Sequence, residues 1–105
     1  MILPFLLFRN FRDVYENNPE NPEFAFAYAM ALRRSSKKSD KEYALELFHA
    51  LEYNPSYRND VHYFMALTYF TLGDFKRSRE ICESLLRDNP DNEQVGCYWF
   101  LFNLL

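Results

Sequence analysis

The side chains that could carry acid–base or metal chemistry are few in this chain of 105 residues. His49 and His62 fall on different predicted helices, with no Glu or Cys at ligand spacing, so a metal site is not favoured. Cys82 is expected to face a helical core, which argues against a catalytic cysteine–histidine pair. Cys82 and Cys97 lack metal or redox spacing and are interpreted as reduced thiols in a cytosolic setting. We therefore expect no enzymatic activity, no cofactor and no metal ion.

Phosphate and nucleic-acid chemistry are also not favoured. The two glycines, Gly73 and Gly96, are too far apart to form a phosphate-binding loop. The net charge of −3 argues against nucleic acid as a partner, because such proteins usually have a basic face. The basic run "RRSSKKSDK" at 33–41 is interpreted as a solvated loop, or alternatively as a contact for an anionic membrane or an acidic partner. Acids at positions 13, 16, 20 and 23 are interpreted as a solvated face.

The uncharged stretches are too short to cross a bilayer as a helix, which requires roughly 20 apolar residues. The longest are "VHYFMALTYFTLG" at 61–73 and "VGCYWFLFNLL" at 95–105. The opening "MILPFLLF" lacks the basic start and the cleavage site of a secretory signal. We expect no membrane-spanning segment in this sequence.

The pair Asn-Pro occurs three times, at 18–19, 54–55 and 89–90, with steps of 36 and 35 residues. The residue before a proline is pushed out of the helical conformation, so each pair predicts a helix end. Between these positions the apolar residues recur at helical spacing. The pattern predicts six helices. The first covers about 5–17, the second runs from after Asn21 to about 34, and the third runs from a Ser39–Glu42 capping box to about 53. The fourth begins after Asn59 or Asp60 and stops at Gly73, the fifth covers 74–88, and the sixth begins at about 91.

Superposition of the two halves predicts a helical repeat. Ala31 and Ala66 are 35 residues apart, and Ala44 and Ser78 are 34 apart, which places small residues where paired helices touch closely. A helix–turn–helix period near 34 is typical of tetratricopeptide repeats. We expect one all-α domain over 1–105, a six-helix bundle with two antiparallel tetratricopeptide-like units in a right-handed superhelical stack. Its parts are an N-terminal arm and helix at 1–20, repeat units at about 24–57 and 59–92, and an apolar C-terminal end at 95–105.

The second and fourth predicted helices are apolar on more than one side. "FAFAYAMAL" at 24–32 and "VHYFMALTYFTL" at 61–72 hold few polar side chains, so such helices must be covered or must line a groove. The first helix of each repeat lines the concave face of a stack. The repeat register places Tyr28, Leu32, Tyr63, Leu67 and Phe70 on that face.

Two interpretations of these five residues remain open. In so small a protein an aromatic stripe is often simply core. The alternative is a partner-binding groove, favoured because two helices show the same excess at the same repeat positions. Repeats that bind a peptide carboxylate need cationic side chains, and these positions hold tyrosines and aliphatic residues instead. A hydrophobic peptide or helix is therefore the better-suited ligand.

The sequence resembles the mitochondrial fission 1 family over about residues 5–96. The resemblance is carried by "FAYAMALRRS" at 26–35, by "YFMALTYFTLGDF" at 63–75 and by "DNEQVG" at 91–96. It implies a non-enzymatic adaptor for mitochondrial and peroxisomal fission that binds a dynamin-related GTPase, or its adaptor, through the concave groove and the N-terminal arm. After Gly96 the family continues with a polar helix and a membrane anchor, whereas this sequence reads "CYWFLFNLL".

The resemblance implies a location on the cytosolic face of the mitochondrial outer membrane and of peroxisomes. Without an anchor the expected location is the cytosol. The alternative function is a generic soluble repeat scaffold that binds a different hydrophobic helix or peptide. Self-association is a further expectation, because both ends of the sequence are apolar.

Overall fold

A computed structural model describes residues 4–91 of the chain, with side chains from residue 10 onward. Across this part of the chain the regular structure consists of five α-helices. They are α1 (Pro4–Asn17), α2 (Pro22–Arg33), α3 (Lys38–Leu51), α4 (Arg58–Thr71) and α5 (Phe75–Asp88). The predicted all-α class is confirmed, whereas the sixth predicted helix lies outside the described residues. The chain divides into two compact units, Met1–Leu51 and Glu52–Leu105.

In the first unit, α2 packs against both α1 and α3. The core of this unit is built from small residues next to large ones. Ala29, Ala44 and Phe48 are fully buried, and the Phe48 ring lies 6.2 Å from the Phe26 ring in an edge contact. Ala44 thus occupies the close-contact position that its repeat register predicted. Ala31 is only half-buried, and the fully buried alanine of α2 is Ala29.

In the second unit, α4 and α5 pack against each other as a helix–turn–helix pair. Ala66, Cys82 and Leu85 form its buried cluster. The Ser78 hydroxyl donates a hydrogen bond of 2.6 Å to the Ala66 carbonyl oxygen of the facing helix. Because Ser78 is fully buried, this bond satisfies a polar group that would otherwise be costly to desolvate. The close approach predicted for Ala66 and Ser78 is confirmed.

Two helix starts agree with the sequence. Asn21 caps α2, and its side-chain oxygen accepts the amide protons of Glu23 and Phe24. Asp74 caps α5 by accepting the amide of Arg77 at 3.2 Å. In both cases a short polar side chain satisfies a first-turn amide that has no partner inside the helix.

Two predicted helix starts are wrong. Helix α3 begins at Lys38, so Ser39 lies within its first turn and cannot be its cap. The side chain that binds the adjacent loop is Ser35, whose hydroxyl accepts the Lys37 amide at 3.1 Å. Helix α4 begins at Arg58, so neither Asn59 nor Asp60 is its cap. The loop before α4 is turned instead by Asn54, whose carbonyl accepts two amides and whose side chain accepts a third.

The predicted helix ends agree with the structure. Each of the three Asn-Pro pairs follows the end of a helix, although α3 stops at Leu51, earlier than expected. Gly73 has a φ of +84°, in the left-handed region that favours glycine, and it follows the C-cap Leu72. Among the described residues, no helix combines the length and the hydropathy that crossing a membrane requires.

Candidate partner-binding surface

Tyr28 lies in the middle of α2 and is enclosed by two other tyrosine rings. Its ring centroid is 5.5 Å from that of Tyr15 on α1 and 5.7 Å from that of Tyr43 on α3. Its side chain is 5% exposed. Burial raises the pKa of Tyr28, and the neighbouring Tyr43 raises it further, so the hydroxyl stays neutral at physiological pH. At this exposure the ring offers almost no surface to a partner.

Leu32, one turn further along α2, is 4% exposed. Ala25 and Ala29 on the same helix are buried as well, so α2 turns its small and large apolar residues inward together. Tyr28 and Leu32, predicted to line a groove, are therefore buried in this conformation. Their contact with a partner stays a prediction that requires the first unit to open.

The α4 residues of the predicted site are more accessible. Tyr63, Leu67 and Phe70 are all half-buried. Tyr63 and Phe70 also pack partly against the Ala66–Cys82–Leu85 cluster, so each has one side in the core and another toward the surface. Leu67 is not among the residues packed on that cluster. We call Tyr63, Leu67 and Phe70 the α4 face.

Aromatic contacts extend the α4 face in both directions. Tyr63 and Phe64 meet edge to face with ring centroids 5.2 Å apart. Phe70 meets Phe75, the first residue of α5, in the same geometry at 5.2 Å. Phe75 is 45% exposed, which is high for a phenylalanine. The sequence prediction missed Phe75, although its position directly after the Gly73–Asp74 turn could have indicated an exposed side chain.

Two threonine hydroxyls of α4 form hydrogen bonds within the helix itself. The hydroxyl of Thr68 donates to the Phe64 carbonyl at 2.7 Å, and that of Thr71 donates to the Thr68 carbonyl at 2.9 Å. Neither hydroxyl is thus directed at an external ligand. The nearby Tyr69 ring has the Arg77 guanidinium 5.9 Å from its centroid, and burial raises its pKa. The α4 face is therefore suited to an apolar ligand.

A second surface feature lies at the beginning of α4. An open hollow of about 470 Å³ is lined by Glu52, Tyr53, Pro55, Arg58, Asn59 and His62. His62 Nε2 lies 3.0 Å from a Glu52 carboxylate oxygen, a pairing that the sequence analysis did not foresee. Ten residues separate these two side chains, and only the turn after α3 brings them together. Tyr53, at 92% exposed, stands at the hollow with its ring in solvent.

Catalytic machinery is not apparent in the described part of the chain. Burial raises the pKa of Cys82 to about 11, and the charge of Glu83 adds to this effect, so the thiol remains protonated and is a poor nucleophile. Among the described residues no group of three or more His, Cys, Asp or Glu side chains is arranged to hold a metal ion.

Known proteins resemble this chain in sequence and in helical fold. Residues 59–96 match the family described as Fis1 C-terminal tetratricopeptide repeat. The mitochondrial fission 1 protein of Candida albicans is 28% identical over 91 residues, which are 84% of this chain and 59% of that protein. The corresponding protein of Debaryomyces hansenii is 27% identical over 81 residues, 76% of this chain and 53% of the relative. The chain thus spans about half the length of the curated relatives it matches.

A further relative and a solved structure extend the agreement. The mitochondrial fission 1 protein of Yarrowia lipolytica is 30% identical over 70 residues, 66% of this chain and 46% of that protein. The crystal structure of the fission protein Fis1 from Saccharomyces cerevisiae superposes with a TM-score of 0.82 at 20% identity, covering 91% of this chain and 78% of that one. Over the segments that these sequences match, the chain is a relative of the mitochondrial fission 1 proteins and shares their tetratricopeptide-type helical fold.

Proposed function

We propose that the chain is a non-enzymatic adaptor in mitochondrial fission, extending by family resemblance to peroxisomes. It binds a dynamin-related GTPase, or the adaptor of such a GTPase, through an apolar surface. The complete fold is a six-helix bundle whose two repeat units stack as a right-handed superhelix. The site of action is the cytosolic face of the mitochondrial outer membrane.

The observation that carries this proposal is the joint match in sequence and fold to fission 1 proteins, with the apolar α4 face inside the matched segment. Residues 59–96, which include that face, fit the family's repeat. Its half-buried side chains offer apolar area to a partner helix. Amphipathic helices bind such surfaces by laying their own apolar stripe against them.

The direct test measures binding of the full chain to a purified dynamin-related GTPase from one of the yeasts named above, alone and with its adaptor. We expect binding that is lost in the double variant Tyr63→Ala/Leu67→Ala, because both side chains leave the α4 face. Because Tyr63 also packs on the core, circular dichroism and thermal melts accompany each binding measurement. If the double variant unfolds, the single variant Leu67→Lys decides, since it adds a charge to the face outside the buried cluster.

Tyr53→Ala is the matched control for this test. It removes an equally large aromatic side chain from the same unit, at a site 92% exposed and away from the α4 face. Binding should be unchanged in this variant. Equal loss in Tyr53→Ala and Leu67→Lys would show that the α4 face is not the specific site. A folded wild-type chain that binds neither the GTPase nor its adaptor would leave only the scaffold function for a different ligand.

Location is tested with an N-terminal fluorescent tag on this chain in living yeast that carries a mitochondrial marker. The proposal expects a signal at the rim of mitochondria. A diffuse signal would contradict the proposed location of the chain and would limit its role to binding a partner in the cytosol.

A further inference from the structure

Charge is distributed very unevenly along this chain. Residues 33–41 hold five of the twelve cationic side chains and only one of the fifteen acids, which gives this segment a formal charge of +4 in a chain of −3. The remaining residues therefore carry a formal charge of −7. Such a concentration of cations in one short segment produces a local positive field that attracts negatively charged surfaces.

The structure places this segment at one end of the first unit, in the turn that joins α2 to α3. Arg34, Lys37 and Lys38 are exposed. The Lys38 side chain is 80% exposed and lies 3.9 Å from Glu42, a separation at the limit for an ion pair. We call Arg34, Lys37 and Lys38 the basic tip.

The backbone that carries the basic tip is held by three side-chain hydrogen bonds. The Ser35 hydroxyl, which is buried, donates to a carboxylate oxygen of Asp40 at 2.6 Å and accepts the Lys37 amide at 3.1 Å. Lys41 Nζ donates to the Arg33 carbonyl at 2.8 Å. Asp40 and Lys41 thus stabilise the turn, while the three tip cations extend into solvent. Because the turn is already ordered, binding through the tip costs little additional backbone entropy.

The chemistry of the tip indicates what it can bind. The segment 33–41 contains no aromatic residue on which a nucleobase could stack. The exposed residues from Arg34 to Ser39 include no apolar side chain, so a specific peptide would find charge without an anchor. A laterally fluid array of anionic headgroups needs neither a pocket nor an apolar anchor, since its charges rearrange around the cations.

We propose that the basic tip docks the first unit on an anionic phospholipid surface. The ammonium groups of Lys37 and Lys38 and the guanidinium of Arg34 contact headgroup phosphates and carboxylates. The attraction to this surface comes from the tip cations, since the remainder of the sequence has a net negative charge. This interaction uses residues of the first unit, whereas the α4 face belongs to the second unit.

The test is co-sedimentation of the full chain with vesicles of phosphatidylcholine alone and with about 30% phosphatidylserine. Residues 97–105 are largely apolar in sequence and would add a charge-independent contribution, so the readout is the ratio of the two partition coefficients. We expect a ratio well above one that falls as salt is raised, because exposed charges are screened over about 10 Å at 0.1 M. The variant Arg34→Gln/Lys37→Gln/Lys38→Gln should lower the ratio by roughly fivefold per cation, on the order of 100-fold in total.

The matched control is Lys76→Gln/Arg79→Gln/Arg87→Gln, which removes three exposed cations from α5 and changes the net charge equally. It should retain most of the wild-type ratio. Circular dichroism checks that both triple variants keep their helices. Equal loss in the two variants would show that only net charge matters, and a wild-type ratio of one would show that there is no lipid docking. Either result overturns the proposal. A chain that binds polyglutamate but partitions equally onto the two kinds of vesicle would also overturn it, because the tip would then bind an acidic polypeptide and not lipid.

Discussion

Helices α2 and α4 occupy the same place in the two repeats, yet their aromatic residues have different surroundings. In the first unit the Tyr28 ring is covered on two sides, by Tyr15 from α1 and by Tyr43 from α3. In the second unit Tyr63, Leu67 and Phe70 remain half-buried, with α5 as the described helix that packs on α4. The same repeat register therefore does not imply the same accessibility.

The difference shows what decides whether an aromatic side chain in such a helix is buried or stays accessible. The residue types are similar, since both helices carry aromatic side chains beside alanines. Among the residues that the structure describes, the first unit differs by the additional helix α1, whose Tyr15 supplies a third ring. A side chain is buried in the core when a further helix covers it. The sequence of the first helix of a repeat does not indicate whether such a covering helix is present.

Truncating Tyr28 should have the largest effect on stability and would sharpen this comparison most. Tyr28→Ala removes a ring that is 5% exposed and touches two others, so we expect a loss of about 3–5 kcal/mol in the free energy of unfolding. Leu67→Ala on the half-buried α4 face should cost about 1 kcal/mol, because less area leaves the protein interior. Urea denaturation followed by circular dichroism measures both. Equal losses would show that the two helices are covered to the same extent.

The buried thiol of the second unit should make the stability of the protein fall at alkaline pH. The second unit buries Cys82, whose pKa is raised to about 11 from an ordinary value of 9.0. The unfolded chain therefore releases this proton first as pH rises, the native state holds more protons, and stability falls between the two pKa values. The loss from this group is about 2 kcal/mol by pH 11.

The measurement for Cys82 compares unfolding free energies at pH 8 and pH 11 in a Cys97→Ser background, with and without Cys82→Ala. The raised pKa values of Tyr28, Tyr43 and Tyr69 act in the same direction in both proteins and cancel in the difference. The chain that keeps Cys82 should lose more stability over this range. An identical loss in the two proteins would mean that the thiol is not confined to the protonated form.

Most of the fold was predictable from the sequence because its signals are local. An Asn-Pro pair marks a helix end through backbone sterics alone, and the Gly73 stop depends on one positive φ angle. The starts of α3 and α4 were harder to predict. Several polar residues precede each helix, and the choice among them depends on which side chain reaches a partner. Ser35 does so through Asp40, whereas Ser39, one turn later, does not cap the helix.

The candidate site was less predictable because accessibility is a tertiary property. The repeat register assigned all five residues to one surface: Tyr28, Leu32, Tyr63, Leu67 and Phe70. The packing of Tyr15 and Tyr43 around Tyr28 distinguishes it from the α4 residues. The Glu52–His62 pair similarly depends on a turn that joins two helices. Helical spacing reports neighbours three or four residues apart, and these contacts lie outside that range.

A smaller effect is expected where α4 packs on α5 in the second unit, because a hydrogen bond joins the two helices there. Ser78→Ala removes the donor to the Ala66 carbonyl and should destabilise the protein by about 1 kcal/mol. Ser84→Ala is the matched control, because Ser84 lies on the same helix with its side chain exposed, and its effect should stay within about 0.5 kcal/mol. If both variants unfold at the same urea concentration as the wild type, the bond adds nothing to the packing of α4 on α5.

The smallest effects should distinguish the capped start of α2 from the start of α3. Asn21→Ala removes a side chain that accepts two amides, and we expect a loss of about 1 kcal/mol. Ser39→Ala should change stability by less than about 0.5 kcal/mol, because Ser39 is exposed and lies inside the first turn rather than at the cap. Both values come from the same urea titrations. A loss of about 1 kcal/mol for Ser39→Ala would support the capping box that the sequence suggests, and would mean that α3 starts at Asp40 in solution, two residues later than Lys38.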